Sequence, residues 1–155
     1  MKNFETGKRF SVVKNLYVIN TTNHRIDKVK IHKLVREIRS LLEFEISSLQ
    51  VNFIQETEIR VINSKYLKHN YATDIITFNY SRKRNVIDAE LFICPAIAYE
   101  NAKAFKVTNM EEISRLVIHG LLHNLGFDDK VKSDKVVMKK EEDRLVVKTK
   151  NLFKR

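Results

Sequence analysis

Apolar positions recur at two periods along this chain, and the switches between those periods lay out its elements. Asn15-Leu16-Tyr17-Val18-Ile19-Asn20 reads as a short strand. Beyond it, Ile31, Leu34, Val35, Ile38, Leu41 and Leu42 fall on one helical face, and Asp27 is placed to cap that helix. Leu49-Gln50-Val51-Asn52-Phe53-Ile54 alternates as a half-buried strand. A helix over Glu56–Leu67 follows, with Ile59, Ile62 and Tyr66 spaced for the core. Two strands, Ile75–Tyr80 and Ile87–Ile93, are joined by Ser81-Arg82-Lys83-Arg84-Asn85, a hairpin turn with a basic tip. Pro95 opens a helix running to about Phe105. Thr108 or Asn109 caps the next one, whose first turn carries Glu111 and Glu112, favourable against the helix dipole. From about Ser133 to Leu152 the chain is helical and charged in composition but only weakly periodic. The order of strand, helix, strand, helix, two strands and then helices predicts an α+β fold: a mixed β-sheet covered by helices.

Composition narrows this without redirecting it. At 155 residues the chain is expected to form a single domain over 1–155, large enough to bury roughly 70% of its unfolded surface. An apolar fraction of 43%, with three glycines and one proline, excludes a disordered or linker-built chain. No run of about twenty apolar residues is present to cross a membrane, and the opening Met1-Lys2-Asn3-Phe4-Glu5 lacks an apolar signal core. Cys94 stands alone, so no internal disulfide is expected. A cytoplasmic location is the expectation. The net charge of +10 is uneven: residues 1–30 carry seven Lys/Arg against two Asp/Glu, and residues 130–155 ten against four. The stretch between has twelve against thirteen. Basic ends of this kind suit a phosphate backbone, because releasing condensed counterions rewards each neutralised phosphate; plain solubility is the other reading.

The candidate chemistry lies in that near-neutral middle. In His119-Gly120-Leu121-Leu122-His123-Asn124-Leu125-Gly126-Phe127-Asp128-Asp129, the histidines stand four apart and share one helical face. Gly126 suits a left-handed turn after the helix, and Asp129 follows where a third ligand can swing back. The spacing is that of the metalloprotease pattern H-E-x-x-H-x-x-G-x-x-H, with glycine for the catalytic glutamate and aspartate for the last histidine. Two imidazoles and a carboxylate make a familiar catalytic zinc set with a fourth position open for water. The protease base is missing.

Other motifs stand at set separations before this one: Asn63 and Tyr66, then Thr73-Asp74-Ile75-Ile76-Thr77-Phe78, then Ala89-Glu90-Leu91-Phe92-Ile93-Cys94. Together with Glu111-Glu112-Ile113-Ser114-Arg115-Leu116-Val117-Ile118 leading into His119, they resemble the YbeY family of bacterial endoribonucleases. The family pattern is T-D-V-L-S-F, then G-D-I-x-I-S, then H-G-x-L-H-x-x-G-Y-D-H, and the resemblance runs from about Asn63 to Asp129. It implies a zincin-like fold and a zinc held by His119, His123 and Asp129, one ion per chain. It also implies a metal-dependent endoribonuclease of single-stranded rRNA, acting in maturation of the 16S 3′ end and in ribosome quality control, with the small ribosomal subunit as partner. The chain departs from the pattern at Asp129, where the third histidine is usual, and at Ala89 for glycine with Glu90 as the acidic residue. Leu67 falls where many members carry an arginine, near Lys68 and His69, and Asn124 replaces an apolar residue.

Several roles stay open on the sequence alone. Gly120 either clears space for a backbone phosphate or lets the helix pack tightly. Asp74 serves a turn hydrogen bond or catalysis, and Glu90 faces the site or solvent. Arg82, Lys83 and Arg84 are candidate RNA contacts, and Tyr71, Phe78 and Tyr80 candidate stacking partners for unpaired bases. His69 is a candidate for phosphate contact; His24 and His32 are assigned nothing. Two other functions compete: a non-catalytic ribosome-assembly factor with a structural metal, and a metallopeptidase with another base.

Overall fold

Four strands and five helices carry the fold in a computed structural model that describes residues 12–153. The strands are β1 (Leu16–Asn20), β2 (Glu45–Phe53), β3 (Ile75–Asn79) and β4 (Val86–Ile93). The helices are α1 (Lys28–Leu42), α2 (Glu56–Leu67), α3 (Pro95–Phe105), α4 (Asn109–Asn124) and α5 (Lys132–Thr149), with a short 3-10 turn at Lys150–Phe153. The sheet order is β1-β2-β4-β3, parallel between β1 and β2 and between β2 and β4, antiparallel between β4 and β3. A mixed sheet with helices packed on it is the expected α+β architecture.

Period-2 alternation sorts β4 into two faces. Ile87, Ala89, Leu91 and Ile93 point into the main core with Leu49, Val51 and Phe53 of β2, under α1, α4 and α5. Phe92 joins Ile54, Ile76, Phe78, Ile59 and Cys94 in a smaller cluster on the other face, beneath α2. Asp27 caps α1 as expected, its carboxylate accepting from Lys30 N–H at 3.1 Å. Pro95 opens α3 at its first turn.

Two expectations needed correction. β2 begins at Glu45, four residues before the alternation becomes readable, because the ladder to β4 slips between Ile46 and Ser48. That irregularity breaks the period of two and places the serine pair in the strand. In α2, Tyr66 does not reach the core: it is 58% exposed, whereas Asn63 is buried. Asn63 earns its burial by donating to the Tyr71 carbonyl at 2.9 Å, which ties down the loop after the helix. Residues 1–11 of the basic N-terminal segment, with Lys154 and Arg155 of the C-terminal one, lie outside the described residues.

Candidate metal centre

α4 is pressed between the sheet and α5, and each of its faces is written for one neighbour. Thr108 caps it, accepting from Glu111 N–H at 3.1 Å. Ile113, Leu116, Val117 and Leu121 are buried in the core. Gly120 lies tight against the sheet: a Cβ there would lie 2.8 and 2.9 Å from the Leu91 methyls and 3.3 Å from Ile75. The glycine therefore serves packing and opens no space beside the histidines. Asn124 fastens the same face, donating to Thr77 Oγ1 at 2.8 Å and to the Gly120 carbonyl at 2.7 Å. Its buried Oδ1 has no partner among the described residues.

The helix then ends in a Schellman turn. Phe127 N–H reaches back to the Leu122 carbonyl at 3.0 Å and Gly126 N–H to His123 at 3.2 Å. Gly126 takes φ of +99°, a conformation that favours glycine. This reversal carries Asp129 back over the histidine face. His119 Nε2 and His123 Nε2 stand 3.1 Å apart, and Asp129 Oδ2 lies 3.4 Å from His123 Nε2 and 3.9 Å from His119 Nε2. Ligands about 2.0–2.1 Å from a tetrahedral zinc lie roughly 3.3 Å from one another, so these three separations bracket the requirement. Donor type and spacing both fit a zinc-like ion, and the Asp129 side chain, 41% exposed, leaves the cluster open to solvent.

A residue the sequence did not single out completes the arrangement. Glu142 on α5 is buried and takes His119 Nδ1 at 2.8 Å, while its other oxygen accepts from Arg115 at 3.0 Å. Arg115 is held in turn by buried Glu112, whose Oε2 accepts from Nη2 at 2.6 Å. Burial by itself pushes the Glu142 carboxyl up, but the hydrogen bonds from His119 and Arg115, with the guanidinium charge, outweigh it and hold it below the usual carboxylate range. The Glu112 carboxylate does most to hold the Arg115 guanidinium firmly protonated. An ionised Glu142 fixes the proton of His119 on Nδ1 and leaves Nε2 as the lone-pair nitrogen facing His123 and Asp129.

The other candidates are dispersed. Asp74 ties β3 to α3, accepting from Asn101 at 3.2 Å through its side chain and from Cys94 N–H at 2.9 Å through its carbonyl. Glu90 lies on the sheet face away from α4 and accepts from the Tyr80 hydroxyl at 2.8 Å. Arg82, Lys83 and Arg84 are exposed at the β3–β4 turn, and Leu67 is exposed at the end of α2. His69 lies beside Tyr71, with ring centroids 5.4 Å apart, and Phe78 packs between Tyr66 and Phe92. His32 accepts from Val13 N–H at 2.9 Å, a structural bond.

Comparison with known proteins agrees with the motif order. The family described as Endoribonuclease YbeY matches residues 17–150. An Endoribonuclease YbeY of Chlorobium limicola is 34% identical over 128 residues, covering 83% of this chain and 88% of that protein. One of Azobacteroides pseudotrichonymphae is 43% identical over 96 residues, 62% of this chain and 68% of that one. Among solved structures, TM1509 from Thermotoga maritima superposes with a TM-score of 0.57 at 25% identity, over 88% of this chain and 92% of that one.

Proposed function

Because this chain belongs to the YbeY family of endoribonucleases, we propose that it is a metal-dependent, single-strand-specific endoribonuclease that matures rRNA in the cytoplasm. In this reading the 16S 3′ end is its substrate, the small ribosomal subunit its partner, and ribosome quality control a second role. The observation that carries the proposal is the convergence of His119, His123 and Asp129, with Glu142 bracing the first of them. The three are the proposed ligands of one zinc per chain, in a zincin-like placement of a metal helix against a mixed sheet.

When bound, zinc supplies a Lewis acid for a phosphoryl oxygen and brings the pKa of a coordinated water toward neutrality. The chain's own residues do the rest. Asp129 lowers the net charge of the site by one relative to a third histidine, which suits harder metals as well. Its exposure keeps the approach open to a polymer. Glu142 orients His119, and Gly120 excludes the glutamate by which a metallopeptidase of this spacing takes its proton. The basic hairpin Arg82, Lys83 and Arg84 is proposed as an auxiliary contact for the phosphate backbone.

One observation favours a second reading. Leu67 leaves its own position at the end of α2 without a cation, between Lys65 and Lys68, which fits a non-catalytic assembly factor with a structural metal. Incubating nuclease-free preparations with labelled single-stranded RNA and with casein, each with and without chelator, separates the readings. RNA cleavage that chelator abolishes is expected. Metal-bound protein that leaves both substrates intact would favour the assembly factor, and chelator-sensitive digestion of casein alone the peptidase.

A further inference from the structure

A groove of about 1140 Å³ opens directly from the proposed metal centre, with His119 and Asp129 among its walls. It exceeds the roughly 300–1,000 Å³ of a small-molecule site and opens to solvent, as an extended substrate requires. One wall is the exposed face of α5. Lys132, Lys135, Val136 and Lys140 recur there at helical spacing, a stripe about 12 Å long. Another part of the lining is the corner where α3 ends, formed by Phe105 and Val107.

Most acids facing the groove are engaged, while three of its lysines are not. Glu112 and Glu142 share the Arg115 guanidinium, Glu142 also holding His119, and Asp143 is taken by Lys139 at 2.7 Å. Asp129 belongs to the proposed metal set, which leaves Glu111 as the remaining acid of the lining. Lys132, Lys135 and Lys140 enter no ion pair among the described residues. In the same groove, Phe105 is 61% exposed, a large apolar ring left in water. The Arg115 guanidinium lies 5.8 Å from its centroid, and Arg115 is itself pinned by two buried carboxylates. The ring is thereby supported from one side and free on the other.

We infer that this groove is the path of the RNA strand beside the metal centre, with Phe105 as a stacking platform for an unpaired base and Lys132, Lys135 and Lys140 as its phosphate contacts. The inference rests on the endoribonuclease reading and adds the source of strand selectivity. A base can stack on Phe105 only when it is unpaired, whereas the lysines meet single strands and duplexes alike.

The test is binding of a fluorescent 2′-O-methyl oligouridylate, which resists cleavage, to the zinc-loaded full chain, beside a duplex of equal length. Phe105→Leu, which keeps the apolar volume but removes the flat face, should weaken single-strand binding on the order of ten-fold and leave the duplex unaffected. Phe105→Tyr should restore it. The combined Lys132→Glu, Lys135→Glu and Lys140→Glu variant should weaken both and flatten the log–log salt dependence by about 0.7 per lost single-strand phosphate contact. Zinc stoichiometry should stay at the unsubstituted level throughout, which checks the fold. Single-strand affinity within about twofold of the unsubstituted chain in both sets, with RNA cleavage intact, overturns the groove and leaves the nuclease reading standing. A protein that neither binds nor cleaves RNA overturns both. A concentration-dependent dimer dispersed by Phe105→Leu would name a second copy as the occupant and also overturn the inference.

Discussion

The hydrogen bond between His119 Nδ1 and the buried Glu142 carboxylate decides which nitrogen of that ring is left for a ligand. Imidazole turned the other way would present its N–H to the cluster, so Glu142 sets both tautomer and ring orientation. Glu142→Gln keeps the shape but loses the charge, and carbonyl acceptance from Nδ1 becomes one of two amide orientations. Zinc affinity of that variant, measured by competition with a chromophoric chelator, should fall about 10- to 100-fold while the helical circular dichroism persists. Unchanged affinity would reduce Glu142 to a packing residue. Asp129 is held less tightly, at the end of an exposed turn. Asp129→His, which restores the commoner family ligand, should therefore retain one zinc per chain with altered affinity, read by the same competition. A site emptied by that change would mean that the turn cannot deliver the longer imidazole.

At the scale of elements, the centre depends on how closely α4 lies on the sheet. Gly120→Ala improves helix propensity by about 1 kcal/mol but drives a methyl into the fully buried Leu91. Overpacking costs about 1–3 kcal/mol, so the clash should win, with a net loss of about 1 kcal/mol in urea unfolding. A stabilised variant would show that Leu91 can move aside. Most of these elements were legible because their buried stripes are apolar at one period: α1 and β4 both read directly. α5 was the least legible. Its buried stripe, Met138, Glu142, Leu145 and Thr149, keeps helical spacing, but two of its four members are polar, so hydropathy hides the period. Glu142 was missed for that reason: only tertiary packing says that this acid, among Glu141, Glu142 and Asp143, turns inward. Helix ends were equally quiet. Glu43, Lys68 and Lys106 take the left-handed conformation after α1, α2 and α3, where a glycine would have signalled the stop. The clustering of His119, His123 and Asp129, by contrast, was legible in the spacing, because helix periodicity and a glycine turn both act locally.

Across the whole molecule, the basic surplus and the buried acids answer different needs. Lys132, Lys135, Lys139 and Lys140 of α5 border the groove, while Glu112 and Glu142 hold Arg115 and His119. A half-buried histidine and a buried glutamate give the metal-free protein a common response to acid. Burial lowers the pKa of His32, whose Nδ1 must stay unprotonated to accept from Val13, and Glu142 is held below its ordinary value. A group with a depressed folded pKa contributes stability above its unfolded value, and that contribution is lost as pH falls through the folded one. Urea stability should thus decline first below about pH 6.5 for His32 and again below about pH 4.3 for Glu142. His32→Phe should remove the first decline, and a flat profile between pH 7 and pH 5 in the unsubstituted chain would contradict the His32 assignment.

The central claim is that one divalent ion held by His119, His123 and Asp129 is what lets this chain cut RNA. Its most direct test is the initial rate of cleavage of labelled single-stranded RNA as zinc is titrated into stripped protein, run beside His123→Ala. The expected rate rises with zinc and breaks at one equivalent, and the variant shows no such rise. Cleavage at full rate before any zinc is added, or a His123→Ala curve that overlays the unsubstituted one, would contradict it.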